Sequence, residues 1–163
     1  MSQTIQTKKN NVQNELLTSE EEKRYVLFPI RYPKIWEMQK KQQACFWQAE
    51  EIDLSKDVDD WQKLNKNEQH FVKNVLAFFA GSDGIVLENL LQNFTNEVTL
   101  MEAKVFYSFQ AMMENIHAET YSLLIDTYIK DENEKHKLFN AIDTIPSVGK
   151  KAKWAIKWIN SDA

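Results

Sequence analysis

The sequence predicts an all-α fold, and three features indicate it. The chain has 163 residues but only 3 Gly and 3 Pro, together ~4% where roughly 12% is average. This scarcity of turn-forming residues argues against β-sandwiches and barrels, which need many tight turns. Apolar residues recur with helical spacing along several long segments. Hydrophobic residues make up 43% of the chain, which is enough for a buried core in one domain.

Composition also narrows the class of protein. A net charge of -4 and a pI near 5.5 leave no basic field for nucleic acid. Charged residues at 27% and a mean hydropathy of -0.54 argue against a membrane protein. The single Cys excludes an intramolecular disulfide and a multi-Cys metal site, and it favours a reducing compartment. The first 30 residues carry no apolar stretch typical of an export signal, so we expect a cytoplasmic protein.

The N-terminal region differs in composition from the rest of the chain. Residues 1–24 are mostly polar and are predicted to form a flexible tail, because they bury too little apolar surface to offset the entropy of ordering. Residues 25–33 are apolar, and Pro29 and Pro33 bias their neighbours towards extended geometry. We therefore expect an extended arm, followed by helices that belong to one domain over residues 25–163.

Five helices are predicted in order, at about 33–47, 65–91, 96–129, 132–144 and 148–160. Pro33 suits the first position of the first helix, because its missing N–H is not needed there. The third helix is unusually long and apolar on nearly every side. Such a helix is typical of the centre of a bundle.

Glu114 and His117 form a Glu-x-x-His pair in the middle of this third helix. At about 100° per residue their side chains lie about 60° apart on one face, so both can reach one ion. In ferritin-like proteins such a pair joins a carboxylate from another helix in half of a di-iron site. A structural Glu–His pair is the alternative, but the apolar neighbours make an uncompensated charge costly and favour metal ligation.

Asp83 is a candidate for the carboxylate on the preceding helix. It lies in an apolar run between Gly81 and Gly84, and glycines inside a helix indicate a close approach or space for a site. A helix-end cap is the alternative role. The sequence spacing permits contact between Asp83 and Glu114 without establishing it.

Tyr121 follows His117 by four residues and Glu114 by seven, so all three share one helix face. A phenol beside a redox-active metal can be oxidised. The alternative is a core tyrosine with a hydrogen-bonded hydroxyl, which is the more common role of a buried tyrosine.

Three segments together resemble the small, radical-generating subunit of class I ribonucleotide reductase in its eukaryotic-like form. They are 45–57 (CFWQAEEIDLSKD), 76–86 (LAFFAGSDGIV) and 113–128 (MENIHAETYSLLIDTY). The resemblance runs from about Phe28 to the last residue. It implies a ferritin-like helical bundle and an oxidoreductase that supports reduction of ribonucleotides to deoxyribonucleotides in a large catalytic subunit, which is the implied partner.

The resemblance also implies roles for individual residues. Asp83, Glu114 and His117 would be ligands of a di-iron centre, with manganese as a possible substitute. Tyr121 would hold the stable tyrosyl radical that forms when the reduced centre reacts with oxygen. Trp47 would pass electrons to the site and take part in radical transfer to the large subunit.

Only half of the family's six protein ligands have counterparts in this sequence. His136 lies in a polar run and His70 beside Glu68, so both are predicted at the surface. Three hypotheses follow. The chain is the N-terminal part of a small subunit, which we favour; or two copies build a symmetric, metal-binding homodimer; or the chain is an inactive remnant that only associates with full-length subunits. On the first, the chain alone is expected to be inactive.

Overall fold

The computed structural model describes residues 15–161 and confirms the all-α prediction, since these residues form helices, turns and irregular segments without a strand. The predicted tail residues 1–14 lie outside the described part. The helices are α1 Pro33–Ala44, α2 Asp57–Lys63, α3 Lys66–Asn89, α4 Met101–Tyr128, α5 Glu132–Phe139, α6 Ala141–Thr144 and α7 Pro146–Ile159. Short 3₁₀ turns occur at Leu16–Thr18, Glu20–Glu22 and Ala49–Glu51.

Local sequence explains where the helices begin. Pro33 and Pro146 occupy the start of α1 and α7, where the backbone N–H that proline lacks would have no partner within the helix. At α3 the Asn65 side chain accepts from the N–H of Glu68, whose carboxylate accepts from the N–H of Asn65. Asp131 caps α5 by accepting from the N–H of Glu134 at 2.7 Å. Each cap satisfies N–H groups that the helix itself leaves unpaired.

Several helices differ from the prediction in their boundaries. The first helix ends at Ala44 instead of 47, and α2 was not predicted. The second helix continues from Asn89 into a π-helical turn at Leu90–Phe94 and a last turn at Thr95–Glu97, so α4 starts at Met101 and not at 96. The predicted helix 132–144 is two helices, because the backbone of Asn140 leaves the helical region, with φ -105° and ψ 34°, and ends α5 there.

One compact unit consists of residues 15–46 and Asn89–Met112. Its core is Val98, Leu100 and Ala103, against which Leu17, Tyr32, Ile35 and Tyr107 pack. The N–H of Thr99 donates to the carbonyl of Leu17 at 2.7 Å, and its hydroxyl donates to that of Ser19 at 2.7 Å. Residues 15–24, which the prediction assigns to a flexible tail, are therefore held by hydrogen bonds to residues near the start of α4.

A buried ion pair also holds this segment. Glu102 is fully buried, and its Oε1 accepts from the Arg24 guanidinium at 2.5 Å and from the N–H of Arg31 at 2.8 Å. Arg24 also donates to the carbonyl of Pro29 at 2.6 Å. These polar contacts hold residues 15–24 in place, although the segment has few apolar side chains to bury.

The second unit consists of Trp47–Glu88 and residues 113–161. Its buried core is Leu76, Ala77, Ile125, Ile129, Leu138, Ala141 and Val148. An apolar groove of about 470 Å³ lies beside this core between α3 and α7, lined by residues that include Phe78, Ile85, Val86, Val148 and Trp154. Trp154 is 67% exposed.

The two longest helices, α3 and α4, are both rich in apolar residues. A helix that is apolar on nearly every side is typical of a bundle centre, but within residues 15–161 the side chains of Met112 and Leu123 on α4 are exposed. The segment Lys66–Glu97 is long and apolar enough, by length and composition alone, to cross a membrane. Core helices of soluble bundles meet the same criterion, and this one carries the carboxylate of Asp83 midway along, so we describe it as a bundle helix.

Candidate metal centre

Two helices bring the three predicted ligands together. Asp83 lies inside α3 and is not a helix-end cap, while Glu114 and His117 are one turn apart in α4. One donor atom from each of these side chains lies within 4.8 Å of the others. The structure thus brings Asp83 close to Glu114, which the sequence spacing permitted without establishing. In residues 15–161 this is the one such group of three donors.

The donors are partly or largely shielded from water. The side chain of Glu114 is 15% exposed and that of His117 35%, and their Oε2 and Nδ1 atoms lie 3.2 Å apart. Asp83 is buried, and its Oδ2 has no hydrogen-bond partner. A buried carboxylate oxygen without a donor is costly unless a cation or proton compensates it.

The charges at the site also favour a bound cation. Burial, followed by the charge of Glu114, raises the pKa of Asp83 above its usual value, and His117 opposes this shift. Two carboxylates that repel each other beside an imidazole form a donor set suited to iron, manganese or another divalent cation. The orphaned Oδ2 of Asp83 and the convergence of three donors therefore fit a metal ion.

Tyr121 lies one turn beyond His117 in α4. Its ring stacks on Phe79 of α3, with centroids 5.1 Å apart and planes at 17°. Burial, then the charges of Asp83 and Glu114, raise the pKa of the phenol, so it stays neutral at ordinary pH. The stacking role of Phe79 was not predicted, although its position four residues before Asp83 places both on one helix face.

Trp47 follows the end of α1 and lies against the ligand set. Its ring stacks on the imidazole of His117, with centroids 5.7 Å apart and planes at 29°. Next along the chain, the side chain of Gln48 and that of Glu51 cap the Ala49–Glu51 turn reciprocally. This turn holds the backbone immediately after the indole.

The other two histidines stay away from the cluster. His70 and His136 are both exposed, and the side chain of the asparagine four residues later donates to the backbone carbonyl of each. These positions agree with the prediction that both histidines lie at the surface.

Comparisons with known proteins give a consistent result. The family model described as ribonucleotide reductase, small chain, matches residues 24–163. The ribonucleoside-diphosphate reductase small chain of Plasmodium falciparum is 62% identical over 147 residues, which are 90% of this chain and 42% of that protein. The small chain 1 of Saccharomyces cerevisiae is 62% identical over 146 residues, 89% of this chain and 37% of that one.

A solved structure extends the similarity to the fold. The ribonucleotide reductase homodimer structure from Saccharomyces cerevisiae superimposes with a TM-score of 0.79 at 38% identity, covering 98% of this chain and 52% of that one. The ferritin-like helical fold that the sequence predicts is thereby confirmed. The chain spans less than half the length of the curated relatives it matches.

Proposed function

Because the chain belongs to the ribonucleotide reductase small-chain family, we propose that it is a portion of a class I small subunit that supports reduction of ribonucleotides to deoxyribonucleotides. The observation that carries this proposal is the convergence of Asp83, Glu114 and His117 beside Tyr121. The substrate would bind to a large catalytic subunit, the proposed partner. A free, exposed Cys45 supports a cytoplasmic location.

In this proposal Asp83, Glu114 and His117 hold iron, with manganese as the alternative. A metal centre bound there would, after reaction with oxygen, supply the one-electron oxidation of a nearby phenol. Three protein donors are too few for a pair of ions, so the remaining ligands would come from a further segment or from a second copy. Without ligands from another segment or copy, the chain would therefore not hold a complete di-metal centre.

The surrounding residues prepare Tyr121 and Trp47 for electron transfer. The stacked ring of Phe79 covers one face of the Tyr121 phenol and excludes water there. Burial keeps that phenol protonated, so its oxidation must release a proton within the site. The indole of Trp47, in ring contact with His117, gives electrons a direct path to the ligand set.

Metal binding by the purified chain tests the ligand assignment. Anaerobic titration with Fe²⁺ or Mn²⁺ should give binding that Asp83→Asn and His117→Ala abolish, because each variant removes one of only three donors. Glu119→Gln and His136→Ala are matched controls, since they make comparable changes at exposed positions. Binding that survives Asp83→Asn, or that is lost equally in Glu119→Gln, would contradict the assignment. A full pair of ions per isolated chain would contradict the incomplete site.

Complementation tests the role of Tyr121. The chain would be combined with the remaining part of the Plasmodium falciparum small chain as a second polypeptide, and with a large subunit. We expect a tyrosyl signal in electron paramagnetic resonance (EPR) and nucleotide reduction, both lost in Tyr121→Phe with metal binding retained. Reduction that persists in Tyr121→Phe would refute the radical role.

A further inference from the structure

A second aromatic cluster at the end of α4 plays no part in the metal site. The hydroxyl of Tyr128 donates to Oδ2 of Asp57 at 2.6 Å. The Tyr128 ring stacks on Trp61 of α2, with centroids 5.1 Å apart and planes only 10° from parallel. The cluster thus combines a phenol, a carboxylate in direct contact with its proton, and an overlapping indole.

Trp61 is held in this position from two sides. Gln69 donates to its backbone carbonyl at 3.0 Å, and Lys73 Nζ lies 5.9 Å from its ring centroid. Lys73 is itself fixed by Glu134, whose two carboxylate oxygens each lie 2.8 Å from Nζ. A cation over an indole disfavours positive charge on that ring, so an electron vacancy is more stable on the neighbouring phenol.

The hydrogen bond to Asp57 determines how Tyr128 reacts with an oxidant. A phenol that loses an electron becomes a strong acid and must release its proton. In the structure the acceptor is already in contact, so the electron and the proton can leave together. Burial and this hydrogen bond raise the pKa of Tyr128 well above its usual value, which keeps the proton on the phenol until oxidation.

We propose that Tyr128 is a redox-active residue that traps an electron vacancy, with Asp57 as its proton acceptor and Trp61 as a stacked relay. A one-electron oxidant takes an electron from Tyr128, the O–H bond breaks, and the proton moves to Asp57 Oδ2, leaving a neutral tyrosyl radical and a carboxylic acid. Tyr128 lies seven residues after Tyr121 on the same face of α4, an axial rise of about 10.5 Å. The trap goes beyond the proposed function, because it needs no metal.

Photo-oxidation of the metal-free chain tests the trap. A photogenerated ruthenium(III) tris-bipyridine complex would serve as the one-electron oxidant, and frozen samples with ring-deuterated tyrosine would separate tyrosyl from tryptophanyl radicals by EPR. All variants would carry Tyr25→Phe, because Tyr25 is 89% exposed and would react directly with the complex. Chelator in the buffer keeps the result independent of the metal proposal.

Two variants separate proton acceptance from packing. Tyr128→Phe keeps the stacked ring and should lose most of the tyrosyl signal, with a gain of tryptophanyl signal from Trp61. Asp57→Asn keeps a hydrogen-bonding oxygen but accepts the proton poorly, so it should lose most of the signal while circular dichroism stays unchanged. Tyr107→Phe is the matched control and should leave the signal intact.

The opposite results would overturn the proposal. A tyrosyl signal that persists in Tyr128→Phe would show that the vacancy settles elsewhere. The same applies if Tyr32→Phe removes the signal, since the charge of Glu22 acts on the Tyr32 phenol and makes it a rival. Equal signals in Asp57→Asn and in the parent would show that Asp57 does not accept the proton.

Discussion

The buried pair of Glu102 and Arg24 allows a stability difference to be worked out from the structure. The side chain of Glu102 is 1% exposed and that of Arg24 13%. Arg24→Met leaves the carboxylate buried without its charge partner, and breaking such a pair costs about 3–5 kcal/mol. Glu102→Gln keeps an acceptor for the N–H of Arg31, and Arg24 is near enough to the surface to turn towards water, so the expected loss is about 1–3 kcal/mol.

Urea unfolding followed by far-ultraviolet circular dichroism measures these differences. Glu37→Gln is a matched control, because Glu37 forms the same kind of contact with Lys41 but both side chains are 65% exposed. Its expected loss is much smaller than either of these, because water screens an exposed ion pair. In the double variant of Arg24 and Glu102 the loss should be smaller than the sum of the single losses. An unfolding midpoint for Glu102→Gln equal to that of Glu37→Gln would refute the reasoning.

The pH dependence gives a second check on this pair. Burial acts to raise the pKa of Glu102, but hydrogen bonds, among them those from the N–H of Arg31 and from Arg24, outweigh it and hold the pKa below its usual value. A lowered pKa contributes stability that is complete above the unfolded-state value of about 4.3 and is lost as the pH falls through the folded-state value. The stability difference between the parent and Glu102→Gln should therefore be constant at neutral pH and shrink below about pH 4.

Two further predictions concern stability. Gly149→Ala should destabilise the chain by about 1–3 kcal/mol, because the new Cβ would lie 2.5 Å from the backbone oxygen of Ile142. Gly84→Ala should instead stabilise α3 by about 0.5–1 kcal/mol, because its Cβ meets nothing within 4 Å. Thermal unfolding that ranks the two variants in the reverse order would contradict this packing. Burial and the Asp57 hydrogen bond raise the pKa of Tyr128, so the unfolded chain releases this proton first. Stability should therefore fall as the pH rises above about 10, and less steeply in Tyr128→Phe. Equal slopes of unfolding free energy against pH in the two proteins would contradict the raised pKa.

The all-α class could be predicted from the local sequence pattern, but the helix boundaries could not. Scarce Gly and Pro and the apolar spacing were enough to predict every long helix. The π-helical turn at Leu90–Phe94 and the break at Asn140 depend on the backbone conformation of individual residues, which periodicity does not encode. The order of residues 15–24 depends on Thr99 and Glu102, more than 70 positions away, so composition alone assigned those residues to a tail.

At the candidate site, the within-helix relations were predictable and the cross-helix contacts were not. The spacing of Glu114, His117 and Tyr121 fixes their shared face through helix geometry alone. The approach of Asp83 depends on the packing of α3 against α4, and the sequence left it open. The stacking of Trp47 on His117 depends on the chain between α1 and α2, where no periodic pattern exists.

The apolar groove between α3 and α7 affects how the purified chain behaves in solution. Its walls are almost entirely hydrocarbon, and the indole of Trp154 stands at its margin largely in contact with water. Surfaces of this kind promote self-association and precipitation as protein concentration rises. Titrations, unfolding curves and radical yields therefore belong at low protein concentration, with sedimentation velocity run alongside to define the range in which the chain is monodisperse.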